Sequence, residues 1–297
     1  MDTLILGAGY AGVNAYYELR KRGLRPNIIS ANDSFDIKNA WLRKTVTGKD
    51  IRYSFTLPRF VRLENVQEID LASRTVRTDK ARYEPDNIII ALGASRKDLE
   101  HMIMQMLKVD EVSLGAAYKY DEYLALQIAF YLKALGKKVS YSGSYLSWLG
   151  DRVEKSVRKL VSQAGIESAR SADYLLPLPT PPHPLSSFLR VNSYLEVKQG
   201  VYAAGDAADM GPKLGELAMR MGVYTAKRIA GYDQPFRPMF INIIDTGRGK
   251  GIHVRSDYPW QGSFQSVKVS KLRSMMKRFL ENYYIHRKGK MGFLVHL

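Results

Sequence analysis

The sequence predicts an α/β fold that contains two strand–helix–strand units with parallel sheets. A glycine-rich turn follows an apolar run at the N-terminus, and the same pattern returns in weaker form near residue 111. A third apolar strand, rich in small residues, follows near residue 201. Strands that alternate with helices in this way form parallel sheets covered by helices.

The first unit consists of a strand at 3–6, a glycine-rich turn, a helix predicted at 13–21 and a strand at 27–30. The glycines let the backbone turn sharply and approach a pyrophosphate, and the helix directs its N-terminal amides at the phosphates. We therefore predict an adenine dinucleotide on this turn, rather than a glycine turn that binds nothing. The turn residues are Gly7, Gly9, Tyr10, Ala11 and Gly12.

The end of the second strand departs from the usual pattern, because the acidic residue that binds the ribose hydroxyls is missing. Ser30 stands at that position, and Asp33 follows three residues later as a substitute. The motif thus indicates an adenine dinucleotide without saying which one.

Composition limits the chemistry of the chain. Its 297 residues allow about two domains. No cysteine is present, which excludes disulfides, thiolate metal sites, iron–sulfur clusters and thiol redox chemistry. The histidines have no ligand spacing, so we expect no metal site.

The sequence contains no apolar run of about 18 residues, the length that is needed to span a bilayer. The first strand leaves no room for a secretory signal. We therefore expect a cytoplasmic protein.

Short elements connect the first unit to the second. The segment 35–62 is irregular and basic, and we predict loops and short strands there. Strands follow at 66–70 and 75–78, and an apolar strand within 86–95 ends in small residues. This last stretch reads as a buried strand of a parallel sheet, and its small residues also let a chain crossover pass close to a bound dinucleotide.

The second unit has a degenerate version of the phosphate-binding turn. Its strands are predicted at 111–114 and 138–142, and its helices at 120–134 and 153–164. The turn between the first strand and helix, residues 114–119, keeps only Gly115 of the phosphate-turn glycines. Bulkier residues hold a pyrophosphate away from the backbone. The turn favours a packing role for this unit, with NAD(P)H binding as the alternative.

A third segment completes the first site. After a proline-rich linker at 177–184, a strand delivers the pair Gly205 and Asp206. A carboxylate at a strand end can accept hydrogen bonds from ribityl hydroxyls, and the N-terminus of the helix predicted at 214–229 can stabilise negative charge on a flavin ring.

Three segments, LILGAGYAG, NIIIALGAS and GVYAAGDAA, resemble the FAD-dependent pyridine nucleotide-disulfide oxidoreductases. The segments NIISANDSF, YKYDEYLALQIAFYLKALG, PKLGE and INIIDTGRGKG resemble the branch that contains sulfide:quinone oxidoreductase and type II NADH dehydrogenase. The resemblance implies two Rossmann-like domains, the second inserted in the first and degenerate, plus a small membrane-associating region. It implies an FAD-binding domain at 1–104 and 185–231, an inserted NAD(P)-type domain at 105–184 and a C-terminal region at 232–297.

The resemblance also implies roles for single residues. Ser30 and Asn32 would contact the adenosine end of FAD, and Asp206 the ribityl chain or pyrophosphate. Lys213 would lie near the isoalloxazine or the quinone and is the catalytic candidate. The full implied FAD-binding set is Gly7, Gly9, Tyr10, Ala11, Gly12, Ser30, Asn32, Ala91, Leu92, Gly93, Gly205, Asp206, Lys213 and Leu214.

Two departures from the family leave the electron donor open. Sulfide oxidation in this family uses cysteines, so the ordinary mechanism is excluded unless sulfide attacks the flavin directly. Type II NADH dehydrogenases need the glycine-rich turn that is degenerate here. We expect an FAD-dependent oxidoreductase that passes electrons to a quinone-like acceptor. The alternatives are a type II NADH dehydrogenase-like enzyme and a non-catalytic FAD-binding protein.

The net charge of +16 is concentrated at the C-terminus. Apolar residues from Val269 to Tyr284 recur at helical spacing with basic residues, Lys277 among them, mainly between, and an apolar end follows at 291–297. Such a helix suits an anionic membrane surface, unless its apolar stripe packs on the protein. No nucleic-acid-binding motif accompanies the charge. We expect a peripheral protein at the inner face of the cell membrane without nucleic acid, and leave a homo-oligomer open.

Overall fold

The computed structural model describes residues 2–292 of the chain. The strands are β1 (Thr3–Leu6), β2 (Asn27–Ser30), β3 (Ser34–Asp36), β4 (Ser54–Thr56), β5 (Val61–Leu63), β6 (Val66–Asp70), β7 (Thr75–Thr78), β8 (Arg82–Tyr83), β9 (Asn87–Ile90), β10 (Glu111–Ala116), β11 (Lys138–Ser142), β12 (Glu167–Ser168), β13 (Tyr174–Leu176), β14 (Glu196–Lys198), β15 (Val201–Ala203), β16 (Phe240–Asp245), β17 (Gly251–Ser256) and β18 (Gln265–Ser270). The helices are α1 (Tyr10–Lys21), α2 (Lys38–Thr47), α3 (Leu99–Lys108), α4 (Glu122–Ala134), α5 (Asp151–Gln163), α6 (Gly215–Ile229) and α7 (Lys271–His286).

The six-stranded sheet organises the first part of the molecule, in the order β14-β15-β9-β1-β2-β5. All of its pairs are parallel except the edge pair β14–β15. Strand β1 is completely buried, which fits its continuous apolar run. Leu6 pairs with Ile90, and Ile90 pairs with Ala203. The turns that follow β1, β9 and β15 therefore emerge side by side at one edge of the sheet.

Helices α1 and α6 pack against each other very closely, and small residues make this possible. A Cβ added to Gly222 would lie 2.1 Å from the carbonyl oxygen of Ala11. A Cβ added to Gly205 would lie 3.1 Å from the Cβ atoms of Ala11 and Ala218. The contact fixes the start of α1 relative to the segment that follows β15, although about 200 residues of sequence separate them.

A second sheet is fully parallel and has the order β12-β11-β10-β13. Helices α4 and α5 belong to the same stretch of chain, and α4 is almost entirely buried. Mixed α/β architecture with parallel sheets, as predicted, is thus confirmed. Antiparallel sheets of β3–β4, β6–β7–β8 and β16–β17–β18 complete the structure.

Helix α7 differs from its predicted position and orientation. It begins at Lys271, while Val269 belongs to β18. Lys277, predicted on a basic outer face, is only 6% exposed, whereas Leu272, Met275 and Phe279 are 68%, 65% and 57% exposed. Residues 293–297 of the predicted apolar end lie outside the described part of the chain. None of the helices within residues 2–292 has the length and apolar character needed to cross a bilayer.

Buried charged groups on the inner face of α7 find partners on three other elements. Arg43 Nη1 of α2 lies 2.7 Å from Glu281 Oε2. Lys277 Nζ donates to Gln127 Oε1 of α4 at 2.8 Å, and Gln127 also exchanges hydrogen bonds with the backbone of Asp245 in β16. Burial lowers the pKa of Lys277 to about 8, against the opposing effect of Glu281 and Asp245. Because buried charges need partners, this network explains why Lys277 and Glu281 of α7 face inward.

Two further helices differ from the sequence predictions. The segment 35–62, predicted as loops and short strands, contains α2. Helix α1 begins at Tyr10, three residues before the predicted start. In both cases contacts from distant parts of the chain stabilise residues with weak local helix patterns, as the Arg43 ion pair and the Ala11 contact show.

Candidate functional site

The turn after β1 has no room for a side chain at two of its glycines. Gly7 N donates to the carbonyl oxygen of Ile29 at 2.9 Å, and Gly7 has a φ of +98°. A Cβ at Gly7 would lie 2.4 Å from the Ala91 carbonyl oxygen, and one at Gly12 would lie 1.9 Å from the Gly7 carbonyl oxygen. Both positions therefore require glycine for the fold of the turn itself.

Gly9 has a different environment. A Cβ added there would meet no atom within 4 Å, and the backbone conformation of Gly9 is one that other residues adopt. Within the described residues, α1 has no side-chain cap at its N-terminus and no acidic residue in its first turn. The free amides of α1 thus face open space in front of Gly9. Such a helix N-terminus binds anions, phosphate above all.

A cavity of about 350 Å³ adjoins this turn. Ser30 lines it at the end of β2, while Asn32 is exposed beside it and donates its backbone N–H to Ser30 Oγ at 3.2 Å. Sequence reasoning missed the other polar residues of the lining, because β5 was not predicted and no short motif marks them. They are Glu64, Asn65, Gln67 and His183.

Glu64 is a buried carboxylate held by two hydroxyl groups. Its carboxylate is 8% exposed and accepts hydrogen bonds from Thr78 Oγ1 and Tyr83 Oη, each at 2.7 Å. The two hydroxyls fix the carboxylate at the wall of the cavity next to Ser30. A fixed acceptor near the end of β2 supplies the kind of group that the missing acidic residue at position 30 would have offered to a ribose.

The segment after β15 reaches the same edge of the sheet. Asp206 lies in a 3-10 turn (Gly205–Ala207), and burial raises the pKa of its carboxyl while Arg96 and Lys213 oppose that effect. Leu214 is the N-cap of α6 and is buried. Ala91 also lies at this edge and is buried, and Leu92 and Gly93 follow it as the crossover from β9. The structure therefore brings the three predicted segments together at one site.

Lys213 is held by the backbone. It is 4% exposed, and its Nζ donates to the carbonyl oxygens of Asp206 and Ala208, each at 2.8 Å. The ammonium also lies 3.7 Å from the centre of the Phe188 ring. Burial lowers the pKa of Lys213 to about 8. Lys213 thus fixes the turn that carries Asp206 and places a positive charge next to that turn.

An ion pair joins the crossover after β9 to the second sheet. Arg96 forms a two-pronged interaction with Asp121, with Nε and Nη2 at 2.9 and 2.7 Å from the two carboxylate oxygens. Asp121 is 1% exposed. Planar pairs of this kind orient both groups. They hold the start of α4 against the segment that carries the predicted crossover residues.

Tyr10 connects the glycine turn to α7. Its ring lies 4.8 Å from the ring of Phe35 and 5.7 Å from that of Tyr284, and Asn14 Nδ2 donates to Tyr284 Oη at 2.8 Å. Burial and the nearby carboxylate of Glu281 raise the pKa of Tyr10. The inner face of α7 is therefore in contact with the first residues of α1, directly beside the phosphate-binding geometry.

The corresponding turn of the second sheet is closed by a carboxylate. Glu122, in the first turn of α4, is 4% exposed and accepts from Tyr141 Oη at 3.0 Å, Ser144 Oγ at 2.7 Å and Leu146 N at 3.1 Å. It also accepts from Ser144 N. An anion at this helix N-terminus is thus already supplied by the chain. A Cβ at Gly115 would lie 2.8 Å from the Ser142 carbonyl oxygen, so this glycine serves strand packing.

The first site has the features of a dinucleotide site, whereas Glu122 fills the corresponding position of the second turn. Open space before uncapped amides, a neighbouring polar cavity and a half-buried carboxylate at Asp206 suit the pyrophosphate, adenosine and ribityl groups of FAD. Within residues 2–292, no group of three histidine, aspartate or glutamate side chains is arranged to hold a metal ion.

Comparison with known proteins agrees with this geometry. Residues 1–118 match the pyridine nucleotide-disulphide oxidoreductase family. A comparison with curated proteins found no significant match.

Solved structures with a similar fold cover nearly the whole chain. The sulfide:quinone oxidoreductase from Aquifex aeolicus has a TM-score of 0.83 at 17% identity, over 98% of this chain and 92% of that one. The NAD-dependent persulfide reductase from A. fulgidus has a TM-score of 0.62 at 16% identity, over 86% of this chain and 64% of that one. The water-forming NADH oxidase from Lactobacillus brevis has a TM-score of 0.65 at 12% identity, over 86% and 75%.

The family match covers the glycine turn and the crossover after β9, and the fold likeness extends over the rest of the site. Residues 1–118 thus carry the match to the pyridine nucleotide-disulphide oxidoreductase family, and the chain shares its fold with the oxidoreductases of known structure named above.

Proposed function

We propose that the chain passes electrons from a donor other than NAD(P)H to a quinone-like acceptor at an anionic membrane surface. Bound FAD supplies the two-electron carrier. The predicted FAD set would hold it: Gly9 and the α1 amides at the pyrophosphate, Ser30 at the adenosine end and Asp206 at the ribityl chain. Lys213 would keep a positive charge near the flavin. In this proposal residues 105–184 form the inserted domain and keep only a structural role.

The observation that carries the proposal is the double role of α7. On its outer face Leu272, Met275 and Phe279 form an exposed apolar stripe at helical spacing. On its inner face Tyr284 contacts Tyr10 beside the glycine turn. One helix thus joins an apolar surface to the flavin site, which suits an acceptor that is dissolved in lipid. The Aquifex aeolicus neighbour, a sulfide:quinone oxidoreductase by its title, supports the choice of acceptor.

Charge around the stripe favours an anionic bilayer as its partner. Lys268 and Lys271 are exposed at the start of the stripe, and Arg278 is exposed further along α7. Each basic residue near anionic lipid contributes about 1 kcal/mol to binding. The apolar stripe would enter the interface while these groups remain at the headgroups. In this arrangement the protein is peripheral, at the inner face of the cell membrane.

Membrane association should require the apolar stripe. We expect the variant L272S/M275S/F279S to lose flotation with vesicles that contain phosphatidylglycerol, with at least about a tenfold lower bound fraction, because it removes three apolar insertions. Its FAD content should not change, since all three side chains point away from the buried face. Truncation before α7 is not a clean test, because Tyr284 and Ile285 belong to the core.

A matched control replaces three apolar residues that are exposed elsewhere. Met104, Leu135 and Leu178 are 46%, 47% and 55% exposed, and the variant M104S/L135S/L178S should float like the wild type. If the stripe variant and this control float equally well, α7 is not the membrane contact. Flotation with neutral vesicles measures how much the basic residues contribute.

The donor and acceptor are tested on the bound flavin under anaerobic conditions. We expect NADH and NADPH to leave its visible absorbance unchanged, because Glu122 occupies the anion position of the second turn. Dithionite should bleach it, and a soluble quinone should then restore it. Stoichiometric bleaching by NADH would contradict the donor part of the proposal, and failure of quinone to restore the absorbance would contradict the acceptor part. Sulfide, added separately, tests direct attack on the flavin.

A further inference from the structure

A second cavity, which we name the α6 cavity, lies away from the flavin site. It has a volume of about 440 Å³, within the usual range for small-molecule sites of about 300–1,000 Å³. One wall is the second half of α6, with Tyr224 and Lys227, and the other consists of Tyr232 and residues 234–237 of the segment that leads to β16. The two walls are joined by a hydrogen bond from Tyr224 Oη to the Gln234 carbonyl oxygen at 2.7 Å.

The charged groups of the α6 cavity are all positive. Arg220, Lys227 and Arg237 line it, and within residues 2–292 no carboxylate belongs to the lining. Arg220 is paired with Glu216, at 2.6 Å. Lys227 and Arg237 have no carboxylate partner among the described residues. Concave sites with one sign of charge concentrate counter-ions, so two unpaired cations are available for an anion.

Aromatic rings form the apolar part of the same cavity. Phe236 lies 5.1 Å from the ring of Tyr224, and Tyr232 lies 6.1 Å from it. Tyr224 is buried and fixed by its hydrogen bond, whereas Tyr232 is 44% exposed and presents its ring at the cavity. Exposed aromatic rings stack with planar groups such as nucleobases.

We propose that the α6 cavity binds a soluble phosphate ester that carries a planar ring, of the size of a nucleoside monophosphate. Lys227 and Arg237 bind the phosphate, and Tyr232 and Phe236 contact the ring. Phosphate is the anion that best fits an arginine and a lysine together, because it accepts several charge-assisted hydrogen bonds. The site is independent of the flavin function proposed above.

The test uses the FAD-loaded protein, so that the flavin site cannot take up the probe. Calorimetric titration with AMP should show one saturable site, and inorganic phosphate and adenosine should each bind at least about tenfold more weakly. The variant K227Q/R237Q should weaken AMP binding by about a hundredfold, because it removes two charge-assisted contacts. The variant Y232A should reduce AMP to the affinity of inorganic phosphate.

The control variant removes the same charge elsewhere. Lys155 and Lys159 are exposed on α5, and K155Q/K159Q should bind AMP like the wild type. Equal AMP binding by K227Q/R237Q and wild type would overturn the proposal, and so would the absence of saturable binding at millimolar AMP. The last arm uses vesicles that contain phosphatidic acid. If these vesicles bind the wild type but not K227Q/R237Q, and AMP does not bind, the cavity is a lipid site and the proposal is overturned as well. Visible absorbance shows independently whether each variant retains FAD.

Discussion

Replacing Gly9 with alanine should abolish stable FAD binding while leaving the protein folded. The new methyl group meets no protein atom within 4 Å. It projects into the space before the uncapped amides of α1, where a pyrophosphate must come closest. We expect FAD affinity to fall by at least about a hundredfold, measured by reconstitution of the FAD-free protein. Unfolding of that FAD-free protein in urea should change by no more than about 1 kcal/mol, the usual difference between glycine and alanine at an N-cap.

Gly12→Ala provides the contrast. Its methyl group would lie 1.9 Å from the Gly7 carbonyl oxygen, so the turn itself must move. We expect a loss of about 3 kcal/mol or more in the free energy of unfolding, together with the loss of FAD. If Gly9→Ala were as destabilising as Gly12→Ala, or if it bound FAD normally, the pyrophosphate would not lie at Gly9.

Replacing Glu122 with alanine should be among the most destabilising changes of a charged residue in the second strand–helix–strand unit. The substitution leaves the buried Tyr141 Oη and Leu146 N without their acceptor, and it also removes the acceptor of both donors of Ser144. Each unpaired buried group costs about 1–3 kcal/mol, so we expect a loss of about 3–5 kcal/mol in urea unfolding. This is a large share of the total stability of about 5–15 kcal/mol that proteins have.

Glu154 is a suitable control for this experiment. It also lies in the first turn of its helix, but its carboxylate is paired only with Arg158 at 2.8 Å near the surface. Glu154→Ala should cost less than about 0.5 kcal/mol. A cost for Glu122→Ala similar to that of Glu154→Ala would show that Glu122 does not hold the loop after β11, and would reopen this turn to a nucleotide.

Local pattern was sufficient to predict several strands and the segments of the candidate site. The predicted strands 27–30, 66–70, 75–78 and 138–142 have the observed bounds. In these stretches β-branched or alternating residues stand between turn residues, so neighbours in the sequence decide the structure. The glycine turn was equally readable, because its glycines are required by backbone contacts within the turn and with the adjacent strand.

Contacts between residues far apart in the sequence explain the elements that the local sequence pattern did not predict. Helix α2 depends on an ion pair between Arg43 and Glu281, which are far apart in the sequence. The orientation of α7 depends on Gln127 and Asp245, which satisfy Lys277 only in the folded chain. When the partners of a basic residue in the folded protein are unknown, its position between apolar residues of a helix indicates an exposed side chain. For Lys277 that prediction was wrong. The polar residues around Glu64 were also missed, because β5 is short and its sequence has no recognisable pattern.

The contact between α1 and α6 has a consequence for biosynthesis. Residues 1–90 supply the central strands of the six-stranded sheet, but β15 covers the edge of β9 only after residue 203 has left the ribosome. Until then the nascent chain exposes one unpaired edge of the mostly apolar strand β9, and such an edge promotes aggregation. The packing of α1 on α6, which fixes the start of α1, forms only when Gly222 reaches Ala11. FAD binding should therefore require the synthesis of about three quarters of the polypeptide. A ribosome-bound chain shorter than this should bind no FAD.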